Sequence, residues 1–402
     1  MDKYIPRGDF DKTLGASKAA LDCFSQLEKA FADKTVFLGY DGYIDSLYRM
    51  VKQRHGLKEV EYYDSMKEFG EKIVGIAGSS GSIERILKKE LAGGFAPNMA
   101  RALANMAPQS TIKLYAAMGV PTMHPLFQKF PDNVNLHSVG NMGLTLAMEF
   151  KDGKIMSQDM EGINTLDWSS LLSHVGGRDA FIEVFESVSA IGNGHWSLMR
   201  HMNTYWAHMI EDIFPNVSNI EKKFFLVDPA DMDFRAQKDQ QEMLSLLSQI
   251  EDLTNVILSV NDREAISVSR ALEDQGVTPI EKNNPASYEM AGAEINEVLN
   301  LSYFVIHDPR FATITGTKPS PFHYWVTEGY TKSPKFTTAA GDHFNAALLL
   351  SILGKLPPEE ALVVANAATA IFVRTGESPR LQDLEKFIKN YMDYILQDID
   401  TF

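Results

Sequence analysis

The chain carries one cysteine, Cys23, in 402 residues. That excludes an intrachain disulfide framework and any cysteine-rich metal site. It also lacks a block of basic residues: 38 Lys and Arg stand against 53 Asp and Glu, a formal charge of −15, with the acids spread along the chain. Neither nucleic acid nor an anionic membrane is therefore an expected partner. No apolar run is long enough to span a bilayer, and the residues up to Asp9 have no apolar signal region. These absences describe a soluble, cytoplasmic protein. Internal repeats, low-complexity tracts and linkers are missing too. With 45 % hydrophobic residues, ample for a large core, the whole span 1–402 is expected to fold as one domain.

What is present is an alternation of short apolar strands with helices. Leu14, Leu21, Phe24, Leu27 and Phe31 recur at three-to-four spacing and predict a helix over 13–32. Residues 35–39 read as a short buried strand. Strands are expected over 112–116, 144–150 and 154–156, the last two joined by a hairpin turn at Asp152-Gly153. Helices are expected over 62–74 and 83–91. Further strands are expected over 190–192, 224–227, 256–259 and 303–306 with helices between them, the mark of a doubly wound sheet. In such a sheet right-handed crossovers bring the C-terminal strand ends to one edge, where ligands bind.

Four stretches at strand or helix ends carry chemistry. The first is Thr337-Thr338-Ala339-Ala340-Gly341-Asp342-His343-Phe344-Asn345-Ala346-Ala347. A helix starting near Ala340 points unpaired backbone N–H groups at whatever precedes it, and its partial positive charge makes that end an anion site. Small residues there let a phosphate approach the backbone. Asp342, in the first turn, could accept a proton from a hydroxyl beside that pocket; an ordinary acidic helix start is the plainer reading. The second stretch is Tyr40-Asp41-Gly42-Tyr43-Ile44-Asp45, acids just beyond a buried strand. The third is Gly93-Gly94-Phe95-Ala96-Pro97-Asn98, where paired glycines permit close approach of a ligand to backbone. The fourth is Asn261-Asp262-Arg263-Glu264. An amide and a carboxylate three apart suit a hydrated divalent ion, and they equally suit a capping box. His195, in Asn193-Gly194-His195-Trp196, reads first as a packed histidine.

In this order the four stretches resemble the motifs of the ribokinase-like (PfkB) carbohydrate kinases, over roughly residues 35–380. The resemblance implies a three-layer α/β/α sandwich with a small β-containing lid, its elements within about 46–92 and 112–165. It implies transfer of the γ-phosphoryl group of ATP to a hydroxyl of a sugar or related polyol. Asp342 would be the general base, with the amides of Ala339, Ala340 and Gly341 as the anion hole. Asp45 and Asp41, with Gly93, Gly94 and Asn98, would hold the acceptor. Asn261 and Glu264 would support Mg²⁺ indirectly and, with Thr338, Asn366 and Gly376, would line the nucleotide side. An exposed lid edge would allow a homodimer.

The chain departs from the family on the nucleotide side. His307 and Pro309 stand where relatives carry a Thr-x-Gly turn, with Arg310 as a candidate replacement contact. Phe336 stands where many relatives have an Asp near a monovalent-cation site, which leaves K⁺ activation without its usual acid. Two other readings stay open. The Gly39-to-Asp45 spacing is similar to the ADP-dependent branch of the superfamily. The altered nucleotide motif also admits a sugar- or nucleotide-binding protein with decayed activity.

Overall fold

The computed structural model of the chain describes residues 10–282 and 284–402; the N-terminal residues read above for a signal region lie outside them. Strand β1 (Thr35–Tyr40) shows why the fold is layered. Successive side chains of a strand point to opposite faces. Val36 and Leu38 on one face and Phe37 on the other are all fully buried, so both faces have to be covered. The covers are helices, and each buried aliphatic or aromatic side chain contributes about 1.5–3 kcal/mol.

The remaining strands are β2 (Tyr43–Arg54), β3 (Val60–Tyr62), β4 (Arg85–Gly93), β5 (Thr111–Ala117), β6 (Val134–Gly140), β7 (Gly143–Phe150) and β8 (Gly153–Asp159). Then come β9 (Ala190–Gly194), β10 (Phe224–Asp228), β11 (Asn255–Asn261), β12 (Tyr303–Asp308), β13 (Phe311–Gly316) and β14 (Phe322–Thr327). A nine-stranded sheet runs β14-β13-β12-β11-β10-β9-β1-β5-β6. Every neighbouring pair from β12 to β6 is parallel, and β13 and β14 add antiparallel at the far edge. Chain order proceeds one way through β9, β10, β11 and β12 and the other way through β1, β5 and β6. It reverses between β1 and β9, the place where open α/β sheets take their ligands.

Helices Phe10–Phe31, Phe95–Met106, Ala340–Leu353 and Pro358–Thr375 cover the Val36 and Leu38 face. Helices that include Trp168–Val175, Arg178–Glu186, Gln237–Glu251 and Asp262–Ala271 cover the Phe37 face. The expected α/β/α layering is thus present. No helix among the described residues is long and apolar enough to cross a membrane.

A second, five-stranded sheet stands off the first: β3-β2-β7-β8, with β4 also paired to β2. Its own small core is Met50, Tyr63 and Phe69. The hairpin expected at Asp152-Gly153 joins β7 to β8, with Phe150 opposite Gly153. One expectation fails here. The 83–91 stretch is not a helix but β4, which pairs antiparallel with β2 from Tyr43↔Gly93 to Met50↔Arg85. Its Ile86, Leu87 and Leu91 have helical spacing, yet the open edge of β2 takes the segment into a ladder, and context overrides a short periodic run. A register shift between Leu47 and Tyr48 absorbs the misfit as a bulge. The sequence reading also missed β2, β3, β6, β13 and β14. β5, at 111–117, belongs to the large sheet rather than to the lid.

Candidate active site

Helix Ala340–Leu353 begins at a cleft of about 410 Å³ at the C-terminal ends of the parallel strands. Ala339 caps it in the left-handed region, φ 73°, a conformation that costs a non-glycine residue about 1 kcal/mol. The turn this makes returns the Ala340 N–H to Thr337 O at 3.3 Å, and the His343 N–H bonds Ala339 O at 3.2 Å. Of the first-turn amides, those of Gly341 and Asp342 are left without a helical acceptor, as at any helix start. The Ala340 amide is spent on its own turn, so of the expected amides Gly341, with Asp342 beside it, is the one open to an anion. Ala339, Ala340, Gly341 and Asp342 all line the cleft.

Asp342 is buried, and Asn98 donates to its Oδ2 at 2.8 Å. Asn98 lies on helix Phe95–Met106, the element that follows the glycine pair. Burial pushes the Asp342 carboxyl up to about 7, with Asp228 adding to the rise and His195 and Asn98 opposing it. A carboxyl balanced near neutrality matches what a general base requires. Asp228, at the end of β10, is fixed by the Ala230 N–H at 2.9 Å and by the Asn345 amide at 2.9 Å. It lies close to the helix start: a Cβ added to Gly341 would stand 4.0 Å from Asp228 Oδ2.

At the switch point the structure changes the role of Asp41. Its side chain is fully buried. Oδ2 accepts from the Phe95 N–H at 2.7 Å and Oδ1 from the Ala96 N–H at 2.9 Å, capping the helix that carries Asn98. His195 Nδ1 sits 2.8 Å from Oδ2. Asp41, expected to hold the acceptor, is thus enclosed at its own helix start. Asp45, on β2, remains accessible. Burial pushes its carboxyl up, against the Thr145 hydrogen bond and the charges of Lys154 and His195. Gly93 and Gly94 leave room for these two acids, since a Cβ at either would stand within 2.7 Å of Asp45 or 2.8 Å of Asp41. Asp45, Gly93, Gly94 and Asn98 therefore form one group that reaches Asp342 through Asn98.

On the nucleotide side Asn261 and Glu264 close a full capping box. Asn261 Oδ1 accepts from the Arg263 and Glu264 N–H groups, while Glu264 accepts from the Asn261 backbone and amide at 2.8 and 2.6 Å. Both residues also line the cleft, so the structural and the ligand-facing readings coexist. Burial, then Asp228, pushes Glu264 well above the usual carboxylate range. His307 lies beside Gly341, stacked on Phe344 at 4.7 Å; burial pushes its imidazole down to about 4, which leaves it neutral. Arg310 is clamped by Asp308 through Nε at 2.7 Å and Nη2 at 2.9 Å. Its fork is occupied by that carboxylate.

Three expected nucleotide residues lie outside the lining of the cleft. Thr338 is exposed and accepts a hydrogen bond at 2.8 Å from Lys154, on lid strand β8. Asn366 is fully buried in helix Pro358–Thr375. Gly376, at φ 76°, ends that helix and packs under Phe336, whose ring a Cβ would meet at 2.8 Å. The sequence reading in turn left out Asp228, Asn345 and the His195–Asp41 pair. The usable signal was position: Asp228 ends β10 and His195 directly follows β9, both central parallel strands.

Comparison with known proteins agrees with this arrangement. A ketohexokinase from Haloferax volcanii is 28 % identical over 379 residues, 94 % of this chain and 96 % of its own. The solved Arabidopsis thaliana ribokinase complexed with ribose and ATP superposes with a TM-score of 0.60 at 16 % identity, over 89 % of this chain and 99 % of that one. An Escherichia coli chain in complex with ATP and Mg²⁺ matches with a TM-score of 0.58 at 14 % identity, over 89 % and 99 %. At such identities these two structures show the fold. The family model for prokaryotic ketohexokinase matches residues 11–391. The chain belongs to the prokaryotic ketohexokinase family and is a ribokinase-like sugar kinase.

Proposed function

We propose that the protein transfers the γ-phosphoryl group of ATP to a hydroxyl of a ketohexose or a closely related sugar, with Asp342 as general base. The observation that carries this is the meeting, at one helix start, of a buried near-neutral carboxyl with the Gly341 and Asp342 amides. The Asn98 amide holds the carboxyl toward the acceptor group of Asp45, Gly93 and Gly94. In the step, the acceptor O–H proton passes to an Asp342 oxygen. The acceptor oxygen forms a bond to the γ-phosphorus as the bond from that phosphorus to the β-bridging oxygen breaks, and ADP leaves with the electron pair. The amides meet the charge that spreads over the transferred group.

The ketohexose acceptor rests on the family and on the Haloferax volcanii relative; ATP rests on the ligands that the solved neighbours hold. The donor set fits a hard divalent ion, for Asp228, Asn261 and Glu264 all present oxygen to the cleft. No group of three or more His, Cys, Asp or Glu among the described residues is placed to grip a bare ion. Mg²⁺ would therefore keep much of its water shell beside Glu264, Asn261 and Asp228, and when bound it would neutralise phosphate charge.

The test is a coupled assay over ketohexoses, aldoses and polyols, run separately with ATP and with ADP as donor. ATP-dependent phosphorylation of a ketohexose is expected, with Asp342→Asn lowering kcat by about 10²–10⁴. An ADP-only reaction overturns the donor. Undiminished turnover by Asp342→Asn overturns the base.

A further inference from the structure

β1 and β9 pair in parallel with Gly39 opposite Asn193. Two residues beyond that rung, the chain places Asp41 and His195 side by side at the point where strand order reverses. Asp41 is fully buried; its oxygens accept from the Phe95 and Ala96 amides, and His195 Nδ1 lies 2.8 Å from Oδ2. The other ring nitrogen, Nε2, is the donor that His195 can offer to the cleft it lines with Gly341 and Asp342. Tyr43 and Phe95 pack near the ring, at 5.8 and 6.3 Å between centroids. His195 itself sits at φ 54°, a left-handed conformation unfavourable for a residue with a Cβ. Such strain is retained where surrounding contacts fix it, often at functional positions.

The charge balance of the cleft leaves a role unfilled. A nucleotide and the phosphoryl group in flight are anionic, yet His195 is faced by the carboxyls of Asp41, Asp45, Asp228, Glu264 and Asp342. Arg310 is clamped by Asp308, Lys154 is turned to Thr338, and His307 is neutral. Arg263 lines the cleft from the Asn261 loop, on the nucleotide side. At the transfer point the positive charge falls to the imidazole. Burial works against its protonation, but Asp41, then Asp342 and Asp228, push it up to about 10.

We infer that His195 is a further catalytic residue, whose Nε2–H, with Nδ1 seated on buried Asp41, contacts the phosphoryl group as it passes from the nucleotide to the acceptor oxygen. The inference rests on the proposed transfer with Asp342 as base. No covalent bond to His195 forms, and its protons stay in place. Its contribution is a fixed donor and a positive charge aimed at oxygens whose charge grows in the transition state. The same charge favours the carboxylate form of Asp342, so loss of the imidazolium would move the base away from its working state.

His195→Gln keeps a donor of similar reach and removes the charge. A folded variant, matching wild type in circular dichroism and thermal melting, is expected to lose about 10²-fold in kcat, the scale of a single transition-state donor. The acceptor KM should change far less, and the acid limb of its kcat profile should move to higher pH. His195→Ala should regain part of its rate when imidazole is added. A kcat within threefold of wild type, with the acid limb unmoved, overturns the inference. Should either variant fail to fold, ¹⁵N spectra of the wild-type imidazole decide. Both ring nitrogens are expected to be protonated at pH 8, and the Nε2 signal to shift when sugar and a non-hydrolysable ATP analogue are both bound; a neutral ring, or one blind to both ligands, overturns it. Asp342→Asn run in parallel separates the two ideas. If Asp342→Asn is fully active the assignment of the base falls, whereas an inactive Asp342→Asn beside a wild-type-like His195→Gln removes only the role of His195.

Discussion

Asp342 carries opposite demands on stability and on activity. Its carboxyl is about 7 in the native protein and about 4 in an unfolded chain. Between those values the native chain holds a proton that the unfolded chain has released. The contribution to stability is present below about pH 4 and declines as pH rises through the native value. On the proposed reading catalysis runs the other way, because a general base must be ionised. Asp342→Asn is therefore expected to lower kcat by about 10²–10⁴ while raising the melting temperature of the ligand-free protein at pH 8, with little change at pH 5; a lower melting temperature at pH 8 would contradict the assigned burial cost. Gly341 offers a second test at this scale. A Cβ there would approach His307 Cε1 at 3.4 Å, ordinary contact, while projecting toward Asp228. Gly341→Ala should fold normally and lose at least tenfold in kcat/KM, since the methyl crowds the space where backbone amides meet an anion. Asp342, Asn98, Asn261 and Glu264 were legible in the sequence because motif spacing along one helix or one turn is local information. The Asp41–His195 pair was not, for its two halves lie far apart in sequence and meet only through the register of β1 against β9.

At the scale of elements, β8 reaches across to the segment that leads into helix Ala340–Leu353. Lys154 Nζ donates to Thr338 Oγ1 at 2.8 Å, and its charge also acts on Asp45. The contact is exposed, so it contributes little to global stability. Lys154→Met is expected to melt with wild type and to raise the sugar KM severalfold with a smaller change in kcat; an unchanged KM would remove the lid strand from acceptor binding. Strands were readable where both faces are buried, as in β1 and β9 to β12, because a continuous apolar run between turn residues allows few alternatives. The lid was harder. In β4 the pattern Arg85-Ile86-Leu87-Lys88-Lys89-Glu90-Leu91 has helical spacing, and only the open edge of β2 made it a strand. β13 and β14 form an antiparallel edge with mixed composition, and β14 is only partly buried along most of its length. Their alternation is weak for that reason.

The whole molecule carries a net charge of −15 and takes an anionic co-substrate. Long-range repulsion slows such an encounter at low salt and is screened as ionic strength rises. The nucleotide KM is therefore expected to fall between about 20 and 200 mM salt, where the Debye length shrinks by roughly a factor of three. An equal fall with NaCl and KCl marks screening; a fall with KCl alone marks a specific monovalent-cation effect despite Phe336. The two sheets also meet in a particular way. The chain leaves β1 at Tyr40 and enters β2 at Tyr43, and it leaves β6 at Gly140 and enters β7 at Gly143. These crossings lie side by side, with Tyr43 opposite Gly143, and Gly42 admits no side chain because a Cβ would meet Ala117 O at 2.2 Å. The small sheet is thus joined to the large one by a link two residues wide, and Asp41 is half of it. On the proposed reading, a tilt of that sheet would be levered into the carboxylate that caps the Asn98 helix and lies beside His195, which would make hinge and catalytic floor one mechanical part.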